Sequence, residues 1–240
     1  MPDLQRSFRL NVQYRATQNA VANRTEYNEV TGGRVTRPEN INGNWNARAD
    51  FNFNTAFMAD TRFRMNAGTN VGHTNHVSYV YRSAEKATIK SRTATTNMGQ
   101  SLRFTYRDDI LEVNVGGNVG YNRSRSEANA AGNLDTWRFS YGGSAIVHLP
   151  WNMQISTDMY ESSRRGYSDQ SMNTNELIWN ISIAQSFLRG KAATVSLKWY
   201  DVLAQRDDVS RSVNATSRTD RRSSLISSYV MLHFDYRFHF

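Results

Sequence analysis

YVMLHFDYRFHF, residues 229–240, is the stretch that decides how this chain folds. Every second residue is apolar or aromatic: Val230, Leu232, Phe234, Tyr236, Phe238 and Phe240. Between them stand Met231, His233, Asp235, Arg237 and His239, mostly polar and partly charged. A β-strand turns successive side chains to opposite faces, so strict period-two alternation predicts a strand with one apolar face and one wet face.

Working outward, the same alternation recurs in nine further segments. Phe8, Leu10, Val12, Tyr14 and Ala16 form the first; Trp45, Ala47, Ala49, Phe51 and Phe53 the second; Phe63, Met65, Ala67 and Val71 the third. Leu102, Phe104 and Tyr106 mark the fourth, and Leu111, Val113, Val115, Val119 and Tyr121 the fifth. The sixth spans 137–149, and the seventh to ninth cover 153–159, 177–183 and 193–199. Short links at FMAD, RDD, PWN and LRGK alternate with long polar ones, among them Gly32-Gly33, 124–135 and 201–222. That rhythm predicts an all-β, up-and-down antiparallel transmembrane β-barrel with about ten strands in this chain. A Greek-key sandwich has no reason to keep it. A two-residue turn at Asp108-Asp109 would set Tyr106 against Leu111, and PWN sets Leu149 against Met153. Both hairpins keep like faces together. Trp45 and Trp137 fall near loop ends, while Phe53, Trp151 and Phe240 fall near tight-turn ends, as two interfacial girdles would.

The interleaved positions decide which face is outside. Asn44, Asn46, Asn52, Asn54, Asn66 and Asn70 belong to them, as do the arginines of the same strands. Packed dry, that set would leave many unpaired polar groups at a few kcal/mol each. The apolar stripe is therefore expected to face lipid. Arg48, Arg62, Arg64, Arg103, Arg138, Asn114, Asn118, Asp235 and Arg237 are expected to line a lumen. Their hydrogen-bonding groups suit hydroxylated or anionic solutes, and suit the polar surface of a plug equally well. His233 and His239 share that wall with Asp235 and Arg237, or join a cross-strand network with Lys198.

Composition narrows the classes. Mean hydropathy is −0.66, and no run approaches the ~18 apolar residues of a spanning helix, a test that a barrel of alternating strands escapes. The absence of cysteine excludes disulfides and thiolate metal sites. The net charge of +8 comes from arginines scattered along the chain, without the block or stripe of a nucleic-acid footprint. MPDLQRSFRL lacks the apolar core of an export signal. No phosphate loop or nucleophile elbow occurs, and His73 and His76, read as loop residues, lack a third ligand. No enzyme activity, cofactor or metal is expected.

The terminal strand resembles the C-terminal signature of bacterial outer-membrane β-barrels. By that resemblance Leu232, Phe234, Tyr236, Phe238 and Phe240 are the residues that the barrel-assembly machinery reads. LPWNMQISTDMYESSRRGYS (149–168) and WNISIAQSFLRGKAATVSLKWYDVLAQ (179–205) resemble the C-terminal part of TonB-dependent receptor-like barrels, in the branch described as outer membrane protein beta-barrel. The likeness is strongest over 149–240 and topological over 1–148. It implies an outer-membrane location and a part in solute uptake. It also implies partners: outer-membrane lipid, further N-terminal strands, a plug and an energy-coupling protein. No plug is read in residues 1–240, which are expected to form a single barrel segment. The alternative is a self-contained ten-stranded barrel acting as a small porin, adhesin or surface protease. In the protease reading, Asp207-Asp208 would face His73 or His76 across the rim.

Overall fold

In the computed structural model the described residues are 6–57, 62–82, 85–128, 130, 133–206, 209–213, 218–222 and 226–238. The strands in chain order are β1 (Arg6–Thr17), β2 (Ala20–Tyr27), β3 (Arg34–Ile41), β4 (Asn44–Ala56), β5 (Phe63–Arg82), β6 (Ala87–Arg107) and β7 (Leu111–Ser126). Then follow β8 (Leu134–Leu149), β9 (Met153–Arg165), β10 (Asn175–Phe187), β11 (Ala193–Tyr200), β12 (Val209–Val213), β13 (Arg218–Arg222) and β14 (Tyr229–Tyr236). Ten of them build one antiparallel sheet, ordered β1-β4-β5-β6-β7-β8-β9-β10-β11-β14. Its ten members are the ten alternating segments. β2–β3 and β12–β13 are separate hairpins inside links that the sequence reads as loops.

Register keeps one face apolar across the whole sheet. Leu10 pairs with Phe51, Met65 with Phe104, Phe104 with Val115, Val147 with Ile155, Ile183 with Leu197, and Leu197 with Leu232. The strands are also staggered. Tyr106, at the turn end of β6, is level through successive pairs with Val113, Ala145, Thr157, Ile181 and finally Trp199, at the loop end of β11. A line perpendicular to the strands thus climbs from one aromatic border to the other. Strands tilted against the membrane normal, as barrel closure requires, produce that climb. From Leu111 to Tyr121 the apolar face runs ten steps of ~3.4 Å, which at a tilt of ~40° gives a band ~26 Å tall.

Burial is inverted relative to a water-soluble protein. Among the described residues the buried apolar side chains are Ile41, Ala56, Leu134, Met172, Ile178 and Ala193, with no aromatic in the set. Phe8 and Leu232, by contrast, are 79% and 71% exposed. Buried polar residues include Ser91, Ser124, Thr136 and Ser196, all on the opposite face by register. Large exposed apolar surface on one continuous face marks contact with a non-aqueous partner.

Three expectations need correction. The turn after β6 is centred one residue later than Asp108-Asp109. Asp108 N–H donates to the Leu111 carbonyl, and Arg107 stands opposite Glu112, so Tyr106 faces Val113 rather than Leu111. The cause is the Asp108 carboxylate, which accepts N–H bonds from Ile110 and Leu111 at 2.8 and 2.7 Å and so takes the first position of the turn. Second, the long link read between the third and fourth segments is strand: β5 and β6 run on to Arg82 and from Ala87. Third, His73 and His76 consequently lie in β5 and not in a loop. Three apart in a strand, they point to opposite faces.

The Asp108 turn gives a pH prediction. N–H groups of Leu111 and Ile110, then the Tyr106 hydroxyl, hold its carboxyl below the ordinary 3.8. A carboxyl lowered on folding stabilises above its unfolded value, and that contribution is lost as pH falls through the folded value. Asp108→Asn, which keeps an acceptor but no charge, is expected to unfold at lower denaturant than wild type at pH 7. The gap should close below about pH 4. Equal midpoints at neutral pH would show that the charge contributes nothing.

Candidate functional site: the polar inner wall

The face opposite the apolar band is concave. One cavity of ≈ 810 Å³ is lined jointly by Asn52 and Asn54 from β4, Arg103 from β6, Asn114 and Asn118 from β7, and Asp158 and Tyr160 from β9. Strands that far apart meet around one space only if the sheet curls towards its polar side. Cross-strand hydrogen bonds knit the wall. Thr105 Oγ1 donates to Asn114 Oδ1 at 2.7 Å, Asn180 Nδ2 to Asp158 Oδ2 at 2.8 Å, and Ser186 and Thr194 hydroxyls share a bond of 2.9 Å. Side-chain pairs of this kind are the units that stabilise a sheet face.

Most of the lumen candidates fall on this wall. Arg48 stands opposite Gln13 and Gly72, and binds Asp50 through two bonds of 2.7 and 2.9 Å. Arg64 stands opposite Thr105, Arg103 opposite Gly116, Arg138 opposite Gly120 and Arg164, and Asn118 opposite Ser101 and Ser140. Asp235 faces Thr194. Two candidates sit at the rim: Arg62 just ahead of β5, its carbonyl accepting Arg107 N–H at 2.9 Å, and Arg237 just past β14, donating its N–H to Ala192 at 2.8 Å. His233 stands opposite Ser196 while Lys198 stands opposite Met231, so no direct pair joins the two. Asn97, Asn122, Asp158 and Arg164 were missed. Their signal was available as parity, since each lies an even step from a polar-face residue of its own strand.

The outer face carries the assembly residues Leu232, Phe234 and Tyr236, with Phe238 just beyond; Phe240 lies outside the described residues. Loop-side aromatics join in a border: Tyr14 and Trp45 rings are 6.0 Å apart, Trp45 and His73 5.0 Å, Tyr121 and Trp137 4.6 Å. His73 is thus part of the outer girdle, held by Thr96 at 2.8 Å. Asp207-Asp208 lies outside the described residues. Among the described residues no group of three or more His, Cys, Asp or Glu could hold a metal.

Beyond this border β5 and β6 continue, with 20 and 21 residues against the ~10 that cross a bilayer. The β2–β3 hairpin lies against their outward side. Tyr27 and Tyr81 rings meet at 5.1 Å, Arg24 sits 5.8 Å over the Tyr79 ring, and Tyr81 donates to Glu29 at 3.1 Å.

An apolar band between aromatic borders, tilted strands and a polar concave wall define a class, the transmembrane β-barrel. A sequence profile of the outer membrane protein beta-barrel family matches residues 108–236, over half of the chain, and the chain belongs to that family. Its place is the bacterial outer membrane, with tight turns towards the periplasm and longer loops outside. No curated protein and no solved structure matches the chain.

Proposed function

We propose that this chain forms part of the barrel of a TonB-dependent receptor, non-enzymatic, taking up solute across the outer membrane. The observation that carries the reading is the pair of open edges. β1 bonds only to β4 and β14 only to β11, so neither outer strand has a second neighbour among the described residues. An unpaired strand edge in lipid leaves each peptide group costing several kcal/mol, so the edges must meet each other or further strands, and the receptor reading takes the second. Ten strands joined to more make a wide barrel, and a wide barrel has room for a plug and a solute path. In this reading the polar concave wall receives a plug, and plug and energy-coupling protein are supplied from outside these residues.

An even set of ten strands favours a second reading, self-closure into a small barrel. The absence of native cysteine makes the two separable. Single cysteines along β1, at Arg9, Asn11 or Gln13, are each combined with His233→Cys and oxidised in cells. No intrachain disulfide is expected. Efficient bonding at any of these pairs would place β1 beside β14 and sink the receptor reading. An in-frame plug-encoding segment upstream in the gene is the second expectation.

A further inference from the structure

We propose that Arg138 and Arg164 form an anion-binding site on the inner wall near its outer rim, taking a phosphate, sulfate or carboxylate group of a solute. The proposal rests on reading that wall as a solute path. The two arginines are direct cross-strand partners on the polar face. Like charges in that position repel, and guanidinium does not escape by losing its proton. Two other arginines of this face are compensated, Arg48 by Asp50 and Arg107 by Glu112, and Arg103 stands opposite Asn66 and Gly116 with no second arginine beside it. Among the described residues neither Arg138 nor Arg164 has a carboxylate within ion-pair distance.

Unmet hydrogen-bonding capacity lies beside them. Arg164 Nε is buried with no partner, and so is Thr174 Oγ1, whose residue is joined to Arg164 by a backbone bond of 2.9 Å. Arg138 opens on a cavity of ≈ 530 Å³ shared with Asn97, Asn122 and Tyr167. Gly120, the neighbour of Arg138 on the wall, puts no side chain in front of it, and the Asn70 amide lies over Gly99, the next residue along. The Arg138 fork at the cavity, with Arg164 its cross-strand neighbour and amide and phenol donors around it, matches the acceptor oxygens of an oxyanion. Arg123 and Arg125 in the same region differ. They are on the outer face and share Asp135.

The test uses the whole protein that contains these residues, folded in detergent micelles, with heat-modifiable migration as the check on folding. Inorganic pyrophosphate is titrated in at low salt and heat is recorded. Saturable binding is expected, at least tenfold weaker in Arg138→Gln and in Arg164→Gln, and unchanged in Arg123→Gln, which removes one outer-face charge. Where a glutamine variant does not fold, Arg138→Lys with Arg164→Lys keeps the charge but loses the forks, and at least a threefold weakening is expected. No saturable binding by the folded wild type, or equal affinity in the double variant, overturns the site. The titration needs no energy coupling, so binding without cellular uptake removes only the receptor reading.

Discussion

Replacing Val115 by arginine is expected to destabilise the folded barrel by ~2–4 kcal/mol in lipid, the cost of a cation near the middle of the apolar band. Val115 stands between Phe104 and Gly143 on the outer face and is 54% exposed. On a protein surrounded by water, a substitution at so exposed a site would fall within ~0.5 kcal/mol. The size of the loss therefore distinguishes lipid from water at that face. Asn118→Arg supplies the comparison. It lies three residues on, between Ser101 and Ser140 on the concave wall, where water and space receive the new charge. Its expected cost is under ~1 kcal/mol. Denaturant unfolding from vesicles, followed by tryptophan fluorescence, measures both. Equal losses would mean that the two faces see the same medium.

Gly142→Ala is the second large effect. A β-carbon there would collide with the Met159 carbonyl oxygen and sit 2.6 Å from Tyr160 Cα, and backbone cannot swing aside as a side-chain tip can. Gly116, its register partner, would meet the Leu102 carbonyl oxygen at 2.7 Å. The paired glycines allow neighbouring backbones to crowd together on the inner face, a bend that side chains would prop open. Overpacking against backbone is expected at or above the top of the ~1–3 kcal/mol range, with a fall in the heat-modifiable fraction. Gly120→Ala, also on the inner face, finds its nearest atom at 3.9 Å. That change should be neutral, or stabilising by up to ~1 kcal/mol because alanine narrows the unfolded ensemble. If the two alanines behave alike, the bend is not built on Gly142.

Strands inside the membrane were legible because their surroundings are asymmetric. Phe51 and Leu102 meet lipid while Asn52 and Arg103 meet the lumen, and only alternation satisfies both. Above the border that asymmetry ends. Residues 87–97 of β6 read ATIKSRTATTN, with no alternation to mark a strand. Hydrogen bonds to β5 hold them extended all the same. The β2–β3 hairpin escaped for the same reason. Its partners Tyr79 and Tyr81 come from β5, far along the chain. The turn register was missed by one residue because a side chain, Asp108, chose between two turns that parity leaves equivalent.

Sequence by itself determined which residues face lipid, because a strand's period of two leaves each residue only one of two sides and the medium sorts them by polarity. Apart from the Leu149–Met153 pair that the PWN turn fixes, tertiary structure decided which residues stand opposite one another across strands. It set Arg138 against Arg164 and left β1 and β14 with open edges. Those outcomes depend on stagger and on turn geometry, which shift in two-residue steps that leave every side chain on the same face and so leave no mark in the alternation.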